Sequence, residues 1–215
     1  VPAKQTHLVS DGCSLMKAAM TEPLACCLHG IDMCDIRPGD RVCVIGAGMI
    51  GLIMLQLAKL SGAAFVAVSE PVAAKRQEAE KLGADLCLDP SSMPEDDFLS
   101  LCGKYDFNCV IECAGLTRTI EQAVRIAGKK ATVMMFGLTK PDDAISLKPY
   151  DVFSKELTLR SSYINPYTQA RALALIENGR VDVSGMVCEP ISLEKLGEVL
   201  ASPQLRARGK YVVKL

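Results

Sequence analysis

Tryptophan is absent from this 215-residue chain, only 5% of its residues are aromatic, and histidine occurs twice. The scarcity of rings excludes a core built on aromatic stacking. The 49% of hydrophobic residues must therefore form an aliphatic core, as parallel α/β sheets do. Neither His7 nor His29 lies in a metal-ligand spacing, so a histidine-based metal motif is excluded as well.

The charges of this chain are balanced and favour neither sign. It has 24 Lys and Arg residues against 25 Asp and Glu, which gives a net charge of −1. No basic stripe interleaved with aromatic side chains occurs, so nucleic-acid binding is not expected. The apolar runs are too short to span a bilayer and no signal peptide is recognisable, so neither membrane insertion nor secretion is expected.

Ten cysteines could suggest disulfides or a metal site, but their positions support neither. No Cys-x-x-Cys pair occurs. Cys43, Cys87, Cys109 and Cys113 lie in apolar, strand-like runs, where a free thiol behaves as a small hydrophobic side chain. We therefore predict reduced thiols throughout the chain and a cytoplasmic location.

A glycine-rich turn between an apolar, strand-like run and a helical pattern is the most informative motif. Gly46 permits the tight turn, Gly48 leaves room for a pyrophosphate at the backbone, and Gly51 lets the helix pack closely on the strand. Met49 and Ile50 open that helix, whose free N–H groups and positive dipole end favour phosphate. The pattern predicts a dinucleotide-binding turn.

An acidic residue completes this motif. Glu70 follows a second apolar run, 19 residues after Gly51, where it can accept hydrogen bonds from the adenosine ribose hydroxyls. A plain α/β crossover without a ligand would not explain three glycines in register followed by an acid. Because Glu70 would repel a 2′-phosphate, NAD is favoured over NADP. Lys75 and Arg76 could hold such a phosphate, but a solvated helix face explains them better.

Strands and helices alternate along most of the chain, which predicts an α/β fold: a doubly wound parallel sheet of the Rossmann type with helices on both faces. The last residues do not continue this alternation. We predict a cofactor domain at 27–163, flanked at 1–26 and 164–215 by parts of a second domain. The strand ends at 46–48, 114–115 and 137–138 should line one crevice.

Several local features are specific enough to compare with a structure. Glu22-Pro23 should interrupt the first helix, and Thr117 should cap a helix that runs to about residue 126. Short strands are expected near 186–190 and 211–213.

A set of short segments resembles the zinc-dependent medium-chain dehydrogenases, most of all the sorbitol, butanediol and threonine dehydrogenases. These segments are Thr21–Leu24, Pro38–Val42, Gly46–Gly51, Val68–Pro71, Lys81–Asp85, Glu112–Gly115 and Phe136-Gly137. In that family a GroES-like catalytic domain comes first and holds most of the zinc ligands. The resemblance implies that this chain is the cofactor-binding portion of a longer enzyme, with remnants of the catalytic domain at both ends. Such a portion should be inactive and bind no catalytic zinc alone.

The resemblance also implies roles for individual residues. It places Glu22 in the catalytic zinc shell, as a ligand or through the zinc-bound water; the alternative is a carboxylate that only caps or solvates a helix break. Further cofactor contacts are expected at Cys113, Ala114, Gly115, Phe136, Gly137 and Leu138. The last three match the family segment whose backbone holds the nicotinamide carboxamide. Cys113 has no basic partner nearby in sequence, so a packing role is favoured over a nucleophile.

The implied activity is hydride transfer between a secondary alcohol and NAD. The small-molecule substrate would be a polyol, a vicinal diol or threonine, and zinc would polarise its oxygen. Pairing of the last sheet strand, near 157–161, would join subunits into a homodimer or tetramer. Two alternatives stay open. One is a zinc-independent quinone reductase relative, but Glu22 argues against it. The other is a nucleotide-sensing module, but the segment after residue 163 resembles part of a catalytic domain and argues against that.

Overall fold

The computed structural model describes residues 2–3, 6–206 and 208–214. The domain limits expected at residues 1 and 215 lie outside the described residues. The chain separates into two compact units. One contains the described residues of Val1–Cys26 and Asn165–Leu215, and the other is Cys27–Ile164.

The larger unit contains a six-stranded parallel sheet with the order β3-β2-β1-β4-β5-β6. The strands are β1 Arg41–Ile45, β2 Phe65–Ser69, β3 Leu86–Leu88, β4 Phe107–Glu112, β5 Ala127–Met135 and β6 Thr158–Ser161. This order is that of the two nucleotide-binding halves of a Rossmann sheet, so the predicted fold class is confirmed.

Helices connect these strands and make up most of the regular structure of the smaller unit. They are α1 Leu15–Ala18, α2 Thr21–Asp32, α3 Met49–Leu60, α4 Ala73–Lys81, α5 Glu95–Gly103, α6 Thr117–Ile126, α7 Pro149–Lys155, α8 Gln169–Glu177, α9 Leu196–Ala201 and α10 Pro203–Arg206. Short 3₁₀ turns form at Ser184–Met186 and Leu193–Lys195.

The core of the larger unit is mostly aliphatic, with Phe98 and Phe107 buried in it, and lies on both faces of the central strands. Val42 to Ile45 of β1 are all buried, as expected for a parallel strand covered on each side. Cys43 and Cys109 lie in this core with almost no exposed surface. Burial raises the pKa of the Cys43 thiol well above its usual range, so the thiol stays protonated and packs as an apolar group.

Three local predictions need correction. The expected break in the first helix occurs at Ala19-Met20, between α1 and α2, just before its predicted place. Glu22-Pro23 lies in the first turn of α2, which tolerates proline because its N–H groups need no helical partner. Leu116, not Thr117, occupies the N-cap position of α6. In place of the two C-terminal strands there are single bridges, which join Val187 to Lys210 and Ile191 to Val213.

Candidate functional site

The carboxyl ends of the central strands lie in register at one edge of the sheet. Ile45 pairs with Ser69 on one side and with Glu112 on the other, and Met135 pairs with both Glu112 and Ser161. Because ligands of doubly wound sheets bind beyond this edge, the loops that follow these residues form the candidate site.

The glycine-rich turn follows β1, and its glycines differ in their surroundings. Gly46 has a φ of +97°, and its N–H donates to the Ser69 carbonyl over 2.8 Å. A Cβ on Gly51 would lie only 1.8 Å from the Gly46 carbonyl oxygen. A Cβ on Gly48 would meet nothing within 4 Å, and Gly48 is the N-cap of α3. The helix N-terminus is therefore open at Gly48, where an anion can approach its N–H groups.

A cavity of about 570 Å³ lies beside this turn, which is a volume typical of small-molecule and cofactor sites. Its wall is formed by Ile45, Gly46, Ser69, Glu70, Pro71, Val72, Lys75, Pro90, Ser91, Glu95, Ala114, Leu116, Arg118, Thr119 and Gln122. The Ser69 hydroxyl is buried in this wall and has no hydrogen-bond partner among the described residues. A ligand with polar groups would fit such a wall.

Glu70 directly follows β2, where the sequence predicted it, and lies in the wall of this cavity with only 5% of its surface exposed. One carboxylate oxygen accepts from the Ala47 N–H and the other from the Val72 N–H, both over 2.9 Å. Glu70 thus joins the glycine-rich turn to the segment after β2. Each oxygen has a second lone pair for a ligand hydroxyl.

Two cationic side chains that follow Glu70 in the sequence, Lys75 and Arg76, differ in their availability to a ligand. The Arg76 guanidinium donates to the Glu70 and Pro71 carbonyls over 2.7 and 2.8 Å and pairs with Asp89 over 3.1 Å. Lys75 lines the cavity. Arg118 on α6 lines it too, although the sequence analysis did not single it out.

A second cavity, of about 320 Å³, lies beyond β5 and β6. Phe136, Gly137 and Leu138 line it, as do Ser161 and Ser162. The sequence analysis missed the two serines. Their position at the end of a parallel strand would have indicated them, because all such ends meet at one edge.

Cys113 lies at the end of β4 in a half-buried position. Burial, together with the Cys27 thiol and the Glu112 carboxylate, raises the pKa of the Cys113 thiol well above its usual range. A thiol that stays protonated is a poor nucleophile, which agrees with the expected packing role.

Glu22 lies in the smaller unit, on the first turn of α2, and is exposed. Its Oε1 accepts from the Cys26 thiol over 3.3 Å and from the Asn165 amide over 3.2 Å. Burial, then the Glu22 carboxylate, raises the pKa of Cys26 to about 11. The sequence analysis did not identify Asn165 or Cys26 as neighbours of Glu22.

Glu22 by itself is one oxygen donor of a type that zinc accepts. Within residues 2–3, 6–206 and 208–214, no group of three His, Cys, Asp or Glu side chains is placed to hold a metal ion. A zinc ion at Glu22 would thus need ligands from outside the described residues, because zinc sites use three or four protein ligands.

None of the helices in the described part of the chain has the length and apolar character needed to cross a bilayer.

Comparison with known proteins shows extensive similarity. The model of a family described as zinc-binding dehydrogenases matches residues 50–178. D-arabinitol dehydrogenase 1 of Uromyces fabae is 26% identical over 208 residues, which cover 92% of this chain and 58% of that protein.

Two solved structures superpose on the whole chain. A zinc-binding dehydrogenase of Sinorhizobium meliloti 1021, bound to NADP, has a TM-score of 0.92 and 33% identity over 100% of this chain and 64% of its own. An alcohol dehydrogenase of Escherichia coli CFT073, complexed with NADH, has a TM-score of 0.90 and 20% identity over 100% of this chain and 64% of its own, a likeness of fold. The chain spans between half and two thirds of the length of these proteins.

Proposed function

Because this chain belongs to the zinc-binding dehydrogenase family, we propose that it is the NAD-binding portion of a longer, zinc-dependent enzyme. That enzyme would transfer hydride between NAD and a secondary alcohol, in the form of a polyol, a vicinal diol or threonine. The chain alone would lack this activity, and the parts absent from it would supply the GroES-like catalytic domain.

The observation that carries this proposal is the meeting of the glycine-rich turn and Glu70 at one cavity. Gly48 leaves the N-terminus of α3 open for a pyrophosphate, and Glu70 provides acceptors for ribose hydroxyls. The unpartnered Ser69 hydroxyl adds a polar group to the same wall. The residues present therefore fit a dinucleotide.

We assign the two ends of the dinucleotide to the two halves of the sheet. The β1–β3 half, with Glu70, would hold the adenosine end, and the β4–β6 half would hold the nicotinamide end. Cys113–Gly115 and Phe136–Leu138 would contact that second end through their backbones. Bound NAD would supply the hydride acceptor, and these turns would orient it.

Glu22 would contribute to the zinc shell in the complete enzyme, directly or through zinc-bound water. The Asn165 amide donates to Glu22 Oε1, so a residue distant in the sequence orients the carboxylate. Zinc would polarise the substrate oxygen when it is bound.

Binding of NAD to this chain is the first test, and Glu70→Gln sharpens it. We expect wild type to prefer NAD over NADP, and we expect Glu70→Gln to reduce that preference about tenfold because it removes a negative charge near the 2′ position. Calorimetric titration with each dinucleotide measures both quantities.

Glu95→Gln is the matched control, because Glu95 lines the same cavity and pairs with Arg125. It should leave the preference unchanged. Failure of wild type to bind either dinucleotide would overturn the proposal. An equal loss of preference in both variants would show that Glu70 has no special part in it.

We also propose that the chain assembles through β6, which is an edge strand with unpaired backbone groups on its outer side. Pairing of two such edges would give a homodimer, or a tetramer if a second contact forms. Amides of Thr158–Ser161 should then exchange hydrogen faster on dilution, as dimers dissociate.

The other edge strand, Leu86–Leu88, is the internal control, and its exchange should not depend on protein concentration. Hydrogen exchange measured by mass spectrometry at several concentrations tests this directly. A protein that sediments as a monomer at every concentration would refute the assembly.

The ten cysteines, all of them within the described residues, form no disulfide, which favours the cytoplasm as the location of this enzyme. The partners we propose are the alcohol substrate, the catalytic domain and a second copy of the chain. We propose neither a nucleic acid nor a membrane as a partner.

A further inference from the structure

A charged side chain without any exposed surface lies at the centre of the candidate site. Glu112 is the last residue of β4, between β1 and β5, and is 0% exposed. A buried carboxylate is costly unless its oxygens accept hydrogen bonds. Its presence there needs a reason beyond filling the core.

The turn after β4 provides the donors. One carboxylate oxygen, Oε1, accepts from the Ala114 N–H over 2.8 Å, from the Gly115 N–H over 2.9 Å and from the Thr119 hydroxyl over 2.7 Å. These bonds tie two backbone amides of the turn and the first part of α6 to a single atom. The other oxygen, Oε2, is buried and has no hydrogen-bond partner among the described residues.

The main chain of the same residue holds the turn after β5. The Glu112 carbonyl accepts from the Phe136 N–H over 3.0 Å and from the Gly137 N–H over 2.8 Å. Side chain and main chain of Glu112 thus restrain two separate turns.

The two turns also touch each other through glycines. A Cβ on Gly137 would lie 2.3 Å from the Gly115 nitrogen and 2.6 Å from Glu112 Oε2. Gly115 has a φ of +69°, and a Cβ there would lie 2.7 Å from the Leu138 carbonyl oxygen. The turns pack backbone against backbone, so a shift of one displaces the other.

We propose that Glu112 is a positioning residue that sets the two turns of the nicotinamide half of the site in their mutual register. The inference rests on the proposed function, since it assumes that these turns hold the nicotinamide end. Glu112 acts through the turns and not by touching the dinucleotide. Loss of its hydrogen bonds lets the turns separate, whereas Glu70 keeps its own bonds to the Ala47 and Val72 N–H groups.

Comparison of NAD with ADP-ribose separates the two ends of the ligand, because ADP-ribose lacks only the nicotinamide. We expect Glu112→Ala to raise the Kd for NAD about tenfold more than the Kd for ADP-ribose, because both turns would contact the nicotinamide end, whereas only the turn at Ala114 reaches the cavity beside Glu70. Glu112→Gln keeps an acceptor at Oε1 and should restore most of the NAD affinity. Calorimetry on this chain measures each value.

A second pair of variants tests the inference with less disturbance of the core. Thr119→Val removes the hydroxyl, which lies within hydrogen-bond distance of both Glu112 Oε1 and the Leu116 carbonyl, and Thr119→Ser keeps it. Only the valine variant should weaken NAD relative to ADP-ribose. This pair decides the question if Glu112→Ala does not fold.

Failure of the proposed function and failure of the positioning role give different results. If wild type binds neither ligand, the proposed function falls and the inference with it. If wild type binds both with equal affinity, or if the Glu112 and Thr119 variants weaken both ligands equally, the dinucleotide site stands and the positioning role is refuted.

Discussion

Gly51→Ala is expected to be among the most damaging single-methyl additions to this protein. The new Cβ would lie 1.8 Å from the Gly46 carbonyl oxygen and 2.9 Å from its carbonyl carbon. Both are backbone atoms, so no side chain can rotate away, and α3 must move off β1. We expect a loss of about 3 kcal/mol in the free energy of unfolding, at the upper end for overpacking. Urea unfolding followed by circular dichroism measures it.

Gly48→Ala is the matched control, since it adds the same methyl group three residues away. Gly48 has a φ of −71°, which alanine adopts without strain, and its Cβ would meet nothing within 4 Å. Alanine is a poorer N-cap than glycine, so stability should fall by about 1 kcal/mol, well below the loss expected for Gly51→Ala. The affinity for NAD should nevertheless fall about tenfold or more, because the methyl group occupies the approach of the pyrophosphate.

The pair separates folding from binding. Gly51→Ala should lose both stability and NAD affinity, whereas Gly48→Ala should lose mainly NAD affinity. Unchanged NAD affinity in Gly48→Ala would show that the phosphates do not lie on this turn. A fully stable Gly51→Ala would show that α3 can move away from β1 at little cost.

Glu22→Ala in the complete enzyme is expected to have the largest effect on catalysis. We expect kcat/KM to fall about 100-fold, because a zinc ion held as proposed would lose the carboxylate that binds it directly or through its water. The zinc content per subunit, measured by mass spectrometry, should fall in the same variant. This second readout does not depend on the choice of substrate.

Glu198→Ala is a suitable control, because Glu198 is an exposed carboxylate on α9 in the same compact unit. It should change neither quantity. If Glu22→Ala also keeps full zinc content and activity, the carboxylate has only the local role seen in its bonds to Asn165 and Cys26.

Local chemistry made the first half of the larger unit predictable from sequence. The turn after β1 makes three demands that glycine meets best. Gly46 has a positive φ, Gly48 leaves an open position at the backbone, and Gly51 allows the close approach of α3 to β1. Apolar strands buried on both faces have a similarly direct pattern. The fold class followed from these features.

Elements that depend on distant partners were less predictable. The C-terminal segments at 186–190 and 211–213 have strand-like composition but form only single bridges. The bridges are four residues apart on one segment and three on the other, so the register changes between them and no continuous ladder forms. α7 was not anticipated, since its seven residues show no clear helical period. The break before α2 lies slightly earlier than the sequence predicted, because proline is compatible with a first helical turn as well as with a break.

The sequence by itself determined that this chain has a parallel α/β sheet, a glycine-rich turn and an acid at the end of the second strand. Those features depend on residues close together in the chain. Tertiary structure alone decided that Glu70 would bond to Ala47, that Asn165 would reach Glu22, and that Glu112 would join two turns. Such contacts link residues far apart in the chain or depend on strand register. Those of Glu70 and Glu112 form only when the sheet brings its strand ends together, and that of Glu22 forms within the smaller unit.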